Sequence, residues 1–478
     1  MDDQLDMSHG HESSWIAKIS VSGLHNRLNF DVNLQPGINI IYGKNGLGKT
    51  TLLHIIANLS EADIDRFAHL SFKEIKISNN LDQSVKLIKH DDALNVYIND
   101  KETSYERGNT PLSEVEKSEL RSIIGERATY LPAFRSVLER LRESYYGNYE
   151  ERKKPEFDAL VRVEHKALFG SSSERHLKRM DDLVYGNVVK TSRCRQWFGE
   201  FVPTIRYPSI VDVIEGVTNE WERAQIDTAR KEQKQFETAF VDIFAAIAGG
   251  TEEASPLSQN DLLETISALV ADDDQNLFGP TKNAAYLKLV EAIQSTGAAE
   301  KKYNNLLQIY VDILKERKLN RERVLDPIND LQNSVNIFLS EKTLKIGQDP
   351  SARQNLGGRS AVYIEPGKGK PYSLYALSSG ERQIVTMLYS ASRSPFKSGC
   401  FLIDEPELSL HVDWQRIILE HIEKQHQGRQ IIACTHSPEV GADHESCVLF
   451  FATSISPAPF EEEGEDGDGD FEEIQDEQ

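Results

Sequence analysis

The chain has 478 residues, 39% hydrophobic and 27% charged, enough for two or three globular units that each bury a core. No run approaches eighteen apolar residues and the first thirteen residues are polar and acidic, which argues against a membrane span and a secretory signal. The net charge of −22 includes eleven acids and no base within residues 461–478, leaving −11 on the rest, so the charge does not point to DNA and any DNA contact needs a local basic patch.

Residues 1–13 read as a disordered tail, its His9-Gly10-His11 inert. Three short strands follow, Trp15–Val21, Leu28–Leu34 and Ile38–Tyr42, divided by the turn signals Ser22-Gly23 and Pro36-Gly37. A helix is predicted from the glycine loop after Tyr42 to about Leu59. Strand-like pieces at Ser71–Ile77, Val85–Ile88 and Leu94–Ile98 suggest a small antiparallel sheet. A charged helix near Leu112–Ile124 leads to a strand at Ala128–Pro132.

From 136 to 345 the pattern turns to long amphipathic helices. Phe236, Phe240, Ile243, Phe244 and Ile247 recur at helical spacing, as do Tyr303, Leu306, Leu307, Tyr310, Ile313 and Leu314, and both stripes read as core. No heptad repeat persists, which predicts a compact insertion rather than a rod. The basic runs Arg152-Lys153-Lys154 and Lys315–Arg323 have glutamates in or beside them and read as solvated helix faces. A hairpin is predicted from Ser360–Glu365 through Pro366-Gly367-Lys368-Gly369 to Pro371–Tyr375. Phe401–Ile403 and Gln430–Cys434 read as buried parallel strands, and Cys447–Phe451 as a last strand. Cys194, Cys400, Cys434 and Cys447 show no paired metal-ligand spacing and three lie in apolar runs, which points to a reduced, cytoplasmic setting. Beyond residue 456 the acidic tail reads as disordered.

Gly43-Lys44-Asn45-Gly46-Leu47-Gly48-Lys49-Thr50, with Thr51, is a phosphate-binding loop between an apolar strand and a helix. Glycines let backbone N–H groups converge on phosphate oxygens at a helix N-terminus. Lys49 is predicted to reach the β- and γ-phosphates of ATP and Thr50 to ligate Mg²⁺. Phe401-Leu402-Ile403-Asp404-Glu405 supplies the other half: Asp404 for Mg²⁺ and Glu405 to polarise the attacking water. Leu377–Gln383 opens the intervening helix, where Ser378, Ser379, Gly380 and Glu381 form a second candidate nucleotide contact.

The order of phosphate loop, Leu377–Gln383, Asp404-Glu405 and His436 resembles the ABC ATPase superfamily, in its SMC, RecF and OLD-like branch. Asp404–His411 resembles its Walker B and D-loop, and Thr435-His436-Ser437-Pro438 its switch histidine. The resemblance implies an α/β fold: an ABC-type head, in which a mixed parallel sheet flanked by helices joins an antiparallel β-subdomain, with a large α-helical insertion. The expected boundaries are 14–135 and 346–455 for the two halves of the head, 136–345 for the insertion and 456–478 for the tail. The resemblance also implies an ATP-sandwich homodimer in which Ser378, Ser379 and Gly380 act in trans, and in which His436 contacts the γ-phosphate. Ser379 replaces the commoner glycine, as in OLD-like relatives. Tyr130–Arg135 lies where relatives carry a Q-loop but holds no glutamine; Arg135 is either a phosphate contact in its place or a surface arginine.

Tyr130–Arg135 and Asp404–His411 look closest to stand-alone ATPases of anti-phage defence, such as the PARIS and Septu subunits. Nuclease relatives of the OLD type continue into a TOPRIM domain, whereas 42 residues follow His436 here, so nuclease activity is expected from a separate subunit. Three functions stay open: a sensor, triggered by a phage protein, that holds a nuclease or toxin effector; a RecF-like DNA-repair ATPase that clamps DNA; and a scaffold that hydrolyses ATP very slowly.

Overall fold

The computed structural model describes residues 14–135 apart from 91–92, 104 and 106–110, then 137–138, 155–169, 177–249, 258–274, 300–347, 361–425 apart from 397, and 428–455. The tail readings for 1–13 and 456–478, and the basic run at 152–154, lie outside these residues.

Five strands form a parallel sheet in the order β13 (Val448–Phe450), β3 (Ile38–Tyr42), β12 (Ile431–Thr435), β11 (Phe401–Asp404), β8 (Thr129–Leu131). Strands β11 and β12 are buried along their whole length, which is why their sequences are continuous apolar runs. Helix α1 (Lys49–Glu61) packs across the sheet through Leu52, Leu53, Ile55 and Ile56.

Seven strands form the second sheet, in the order β14 (Ser454–Ile455), β2 (Leu28–Asn33), β1 (Ile16–Leu24), β4 (Glu74–Asn79), β5 (Ser84–His90), β6 (Ala93–Ile98), β7 (Lys101–Thr103), all antiparallel. Helix α2 (Glu114–Ile124) starts at a capping box of Ser113 and Glu116 and buries Leu120, Ile123 and Ile124 over this sheet. Two buried amides brace the junction of the two sheets, and Gln430 crosses between them. Gln430 accepts from Ile16 N–H at 3.0 Å and donates to the carbonyls of Ile16 and Gln35 at 2.9 and 3.1 Å. Asn39 donates to the carbonyls of Gln35, Gly37 and Ile431.

The inserted region holds α3 (Pro155–Phe169), α4 (Leu177–Phe198), α5 (Ile210–Gly249), α6 (Gln259–Asp274) and α7 (Glu300–Asn336). The expectation of a compact insertion without a rod is corrected here. Helices α5 and α7 have 40 and 37 residues, about 60 and 55 Å of helix, and they pack on one another. They run antiparallel: Arg317 of α7 binds Glu232 of α5 at 2.6 Å, while Arg393 bridges Glu220 of α5 and the Pro327 carbonyl of α7. No long heptad is needed, because Val213, Val217, Leu331 and Val335 seat the near ends in the main core. The side chains of Phe236, Phe240, Ile243, Phe244, Ile247, Tyr303 and Leu306 lie outside the described residues. Leu307, Tyr310 and Leu314 do share a core with Leu262, Ile266 and Val311.

The predicted hairpin is also corrected. Strand β10 (Val362–Pro366) pairs with β9 (Lys342–Ile346), so a boundary at 345/346 would cut a strand. Pro371–Tyr375 contributes one bridge, Tyr372 to Ile364. Proline at 371 lacks the ladder donor, and the chain turns at once into a 3₁₀ turn at Leu374–Ala376.

Helix α8 (Ser379–Ser392) precedes β11, and α9 (Val412–Gln425) links β11 to β12. Helix α5 and the segment leading into it rest on α8: Tyr207, just before α5, hydrogen-bonds Thr386, and a Cβ built on Gly216 would lie 2.0 Å from the Tyr389 hydroxyl oxygen. Glycine costs about 1 kcal/mol within a helix, and the close approach of Tyr389 explains its presence. Gly216→Ala is expected to lower stability by about 1–3 kcal/mol, seen as a lower Tm. Tyr389→Phe in the same chain should return part of that loss, and a Gly216→Ala protein melting with the parent would refute the contact.

Candidate active site

The loop after β3 is shaped by its glycines. Gly46 and Gly48 have φ of 79° and 96°, the left-handed region that other residues avoid. A Cβ on Gly43 would stand 3.1 Å from the Cβ of Phe451, which packs the loop from behind. Lys49, the first residue of α1, is buried, and its ammonium donates to the carbonyls of Gly43 and Lys44 at 2.6 and 3.0 Å. Lys44, Asn45 and Gly46 are exposed at the loop tip.

Asp404 ends β11 beside this loop. The Thr50 hydroxyl donates to Asp404 Oδ2 at 2.9 Å, joining the two predicted half-sites. Asp404 is 2% exposed and its Oδ1 has no partner. Burial raises its pKa to about 6, against the opposing pull of the Thr50 hydrogen bond and the Arg135 and Lys49 charges. A hydroxyl beside an unpartnered carboxylate oxygen is a hard oxygen-donor pair suited to a divalent cation.

Glu405 has φ of 51°, an uncommon backbone for a residue with a side chain and one found at functional turns. Its N–H donates to the Cys434 carbonyl at 2.8 Å. Burial raises its pKa to about 7, helped by the like charge of Glu407 and opposed by His436. The His436 imidazole meets the Glu405 carboxylate through Nδ1. Lys49, Thr50, Asp404, Glu405 and His436 are thus brought together, with Thr51 one residue further along α1.

Arg135 corrects the surface reading. It is fully buried and so not a surface arginine, and its polar contacts go to backbone carbonyls. Its guanidinium donates to the carbonyls of Pro132 at 3.0 Å, Asp404 at 2.7 Å and Glu405 at 2.9 Å. A planar fork of donors matches carbonyls at two neighbouring strand ends, so it fixes the backbone that carries both acids. Glu407 was not singled out in the sequence, yet Thr435, His436 and Ser437 all donate to its Oε1. Nothing in its spacing marks it. The buried His54 was likewise missed: it shares a hydrogen bond of 2.9 Å with the Tyr130 hydroxyl, and burial lowers its pKa to about 3.

The predicted contacts of α8 stand apart. Ser378 caps the helix and forms a capping box with Glu381. The Glu381 carboxylate is taken up by Ser378 N–H at 2.9 Å and by Lys342 at 2.7 Å, so the structure places it in the helix cap. Ser378 and Ser379 are exposed. Gly380 abuts the turn after β11, where a Cβ would come within 2.5 Å of the Ser409 carbonyl oxygen. Among the described residues, the polar contacts of Ser378 and Glu381 stay within the helix cap and on Lys342, away from Gly43–Thr51.

The raised carboxyls make stability depend on pH. A group whose pKa is higher when folded favours the folded state at low pH, and that contribution is lost as pH rises through the folded value. Those values are about 6 for Asp404 and about 7 for Glu405. In chelator, Asp404→Asn and Glu405→Gln are expected to melt above the parent at about pH 8. The gap should close below about pH 4. A gap unchanged across that range would show that the acids are not desolvated.

Comparison with known proteins places this geometry in a family. The AAA ATPase domain family matches residues 15–440. The retron Ec83 probable ATPase of Escherichia coli is 35% identical over 79 residues, covering 14% of this chain and 15% of that protein. The retron Vc95 probable ATPase of Vibrio cholerae serotype O1 biovar El Tor is 28% identical over 132 residues, covering 25% and 24%. The chain thus aligns with less than a quarter of the length of either relative. Among solved structures, the Smc head domain bound to the C-terminal domain of ScpA from Pyrococcus furiosus aligns over 92% of this chain and 96% of that one, at 12% identity and a TM-score of 0.37. The Smc head domain with a coiled coil and joint from Pyrococcus yayanosii gives 90%, 93%, 12% and 0.37. Among the described residues, no helix is long and apolar enough to cross a membrane. With the glycine loop, Asp404 and Glu405 assembled at the ends of parallel strands, the chain belongs to the AAA ATPase domain family.

Proposed function

We propose that this ATPase works as a homodimer with composite ATP sites and controls a separate effector, a nuclease or toxin, in anti-phage defence. The observation that carries the dimer is the split between the assembled cluster around Asp404 and the exposed Ser378 and Ser379 at the start of α8. A helix N-terminus that presents N–H groups and hydroxyls to solvent suits the phosphates of a nucleotide held by a second protomer. Defence is supported by the likeness to retron ATPases and by the resemblance of Tyr130–Arg135 and Asp404–His411 to PARIS and Septu subunits.

Each residue has a definable task. Backbone N–H groups of Gly43–Gly48 cradle the phosphates, and Lys49 exchanges its loop carbonyls for phosphate oxygens. Thr50 and Asp404 would hold Mg²⁺, which when bound neutralises phosphate charge. Glu405 orients the attacking water and accepts its proton, which suits a carboxylate raised to about 7. His436 leaves Glu405 to contact the γ-phosphate, and so reports its loss. A RecF- or SMC-like DNA clamp is the second reading, favoured by the paired helices α5 and α7 and their exposed Lys315 and Lys318.

Lys49→Ala is expected to abolish ATP binding, and Ser379→Arg to abolish turnover while leaving binding within a few-fold. Mixing the two inactive proteins should restore activity, since a heterodimer holds one intact composite site. No recovery from mixed, exchanging subunits would refute action in trans. A tagged pull-down with ATP from the native host should recover a stoichiometric nuclease or toxin; DNA with repair factors and no effector would favour the clamp.

A further inference from the structure

Glu407 sits in the turn after β11, 7% exposed, where Leu408 N–H closes on the Glu405 carbonyl and Leu410 N–H on its own. One of its oxygens, Oε1, accepts from three consecutive residues: the Thr435 hydroxyl at 2.6 Å, His436 N–H at 3.1 Å and Ser437 N–H at 3.1 Å. These are the last residue of β12 and the first two beyond it, where the ladder ends and backbone donors need other acceptors. The same oxygen lies 3.3 Å from His436 Nδ1. Backbone and ring of His436 are therefore both referenced to one atom. That atom is itself fixed three residues from Asp404, on a backbone gripped by Arg135.

We propose that Glu407 is a positioning residue for hydrolysis, which holds Thr435–Ser437 so that the His436 imidazole is presented to Glu405 and to the phosphate end of the nucleotide. The inference rests on the roles given above to Glu405 and His436. It departs from a plain strand-end cap, because a cap alone would affect melting without a selective effect on turnover. Misplacement of a catalytic group by about 1 Å costs on the order of 100-fold. Removing all three acceptor contacts of Oε1 leaves the switch segment free to make such a shift, while the phosphate loop is untouched.

The test measures ATP turnover and, separately, binding of a fluorescent ATP analogue to the full-length protein. Glu407→Ala should lower kcat by about 100-fold and leave KM and analogue binding within about twofold. Glu407→Gln keeps an acceptor at the same reach and should recover turnover to within a few-fold of the parent. Glu407→Asp keeps the charge but withdraws the oxygen by one methylene, and should stay slow. The deciding arm is a double-mutant cycle: in a His436→Ala background, Glu407→Ala should cost nothing further, since it acts through that side chain. Fully multiplicative losses would overturn the proposal, as would a Glu407→Gln protein no faster than Glu407→Ala. A His436→Ala protein as fast as the parent would also overturn it. If Glu407→Ala does not fold, the Gln and Asp variants carry the same cycle. Failure of the underlying site is read independently, as ATP turnover retained by Lys49→Ala.

Discussion

Residues more than 350 positions apart meet because four parallel strands end level with one another. Tyr42 pairs with Thr435, Cys434 with Asp404, and Ile403 with Leu131. Each strand then delivers its chemistry just past its last ladder bond: the glycine loop after β3, Glu405 after β11, His436 after β12 and Arg135 after β8. Ligand sites of open parallel sheets lie beyond the carboxyl ends of the strands for this reason. A shift of register in one strand would turn its terminal side chain to the other face and separate Thr50 from Asp404.

The register is held by buried polar groups as well as by packing. Gln430 ties the parallel sheet to β1 of the antiparallel one through the Ile16 amide and carbonyl, and Asn39 ties β3 to β12 and to the turn before it. Arg135 ties β8 to β11 at the site itself. A buried guanidinium with three carbonyl acceptors is costly to break, since removing one side leaves the other unsatisfied. The acids therefore sit on a rigid backbone, and desolvation can raise their pKa without the carboxylates turning out to water.

The inserted region attaches to this engine at a few identifiable points. Arg206 forks between Glu61 at the end of α1 and Glu164 of α3, so the helix that starts at the phosphate loop is anchored to the insertion. Helix α5 lies on α8 through Gly216 and Tyr389, and Arg393 joins α8 to both long helices. Both helices whose N-termini face phosphate in the proposed dimer are thus in direct contact with the insertion.

The local features were legible in the amino-acid order. The glycine loop, the apolar strands ending in Asp404 and Glu405, the cap at Ser378 and the helix α1 each depend on residues a few positions apart, where propensity and periodicity act. What the order did not disclose is long-range. The buried role of Arg135 was missed because two of its acceptors are backbone carbonyls some 270 residues away, and carbonyls carry no side-chain signature. Glu407 escaped notice because its three donors come from a strand that only tertiary pairing brings alongside. The main partner of β10, strand β9, was missed because the spacing favours the sequence neighbour, which supplies only the Tyr372 bridge. The pairing of α5 and α7 into an extended unit was not expected because their root is stabilised by the head and not by a heptad of their own. Sequence alone determined which chemistry the chain carries; tertiary structure decided which backbone and which second carboxylate hold it in place, because those contacts depend on strands meeting across the whole chain.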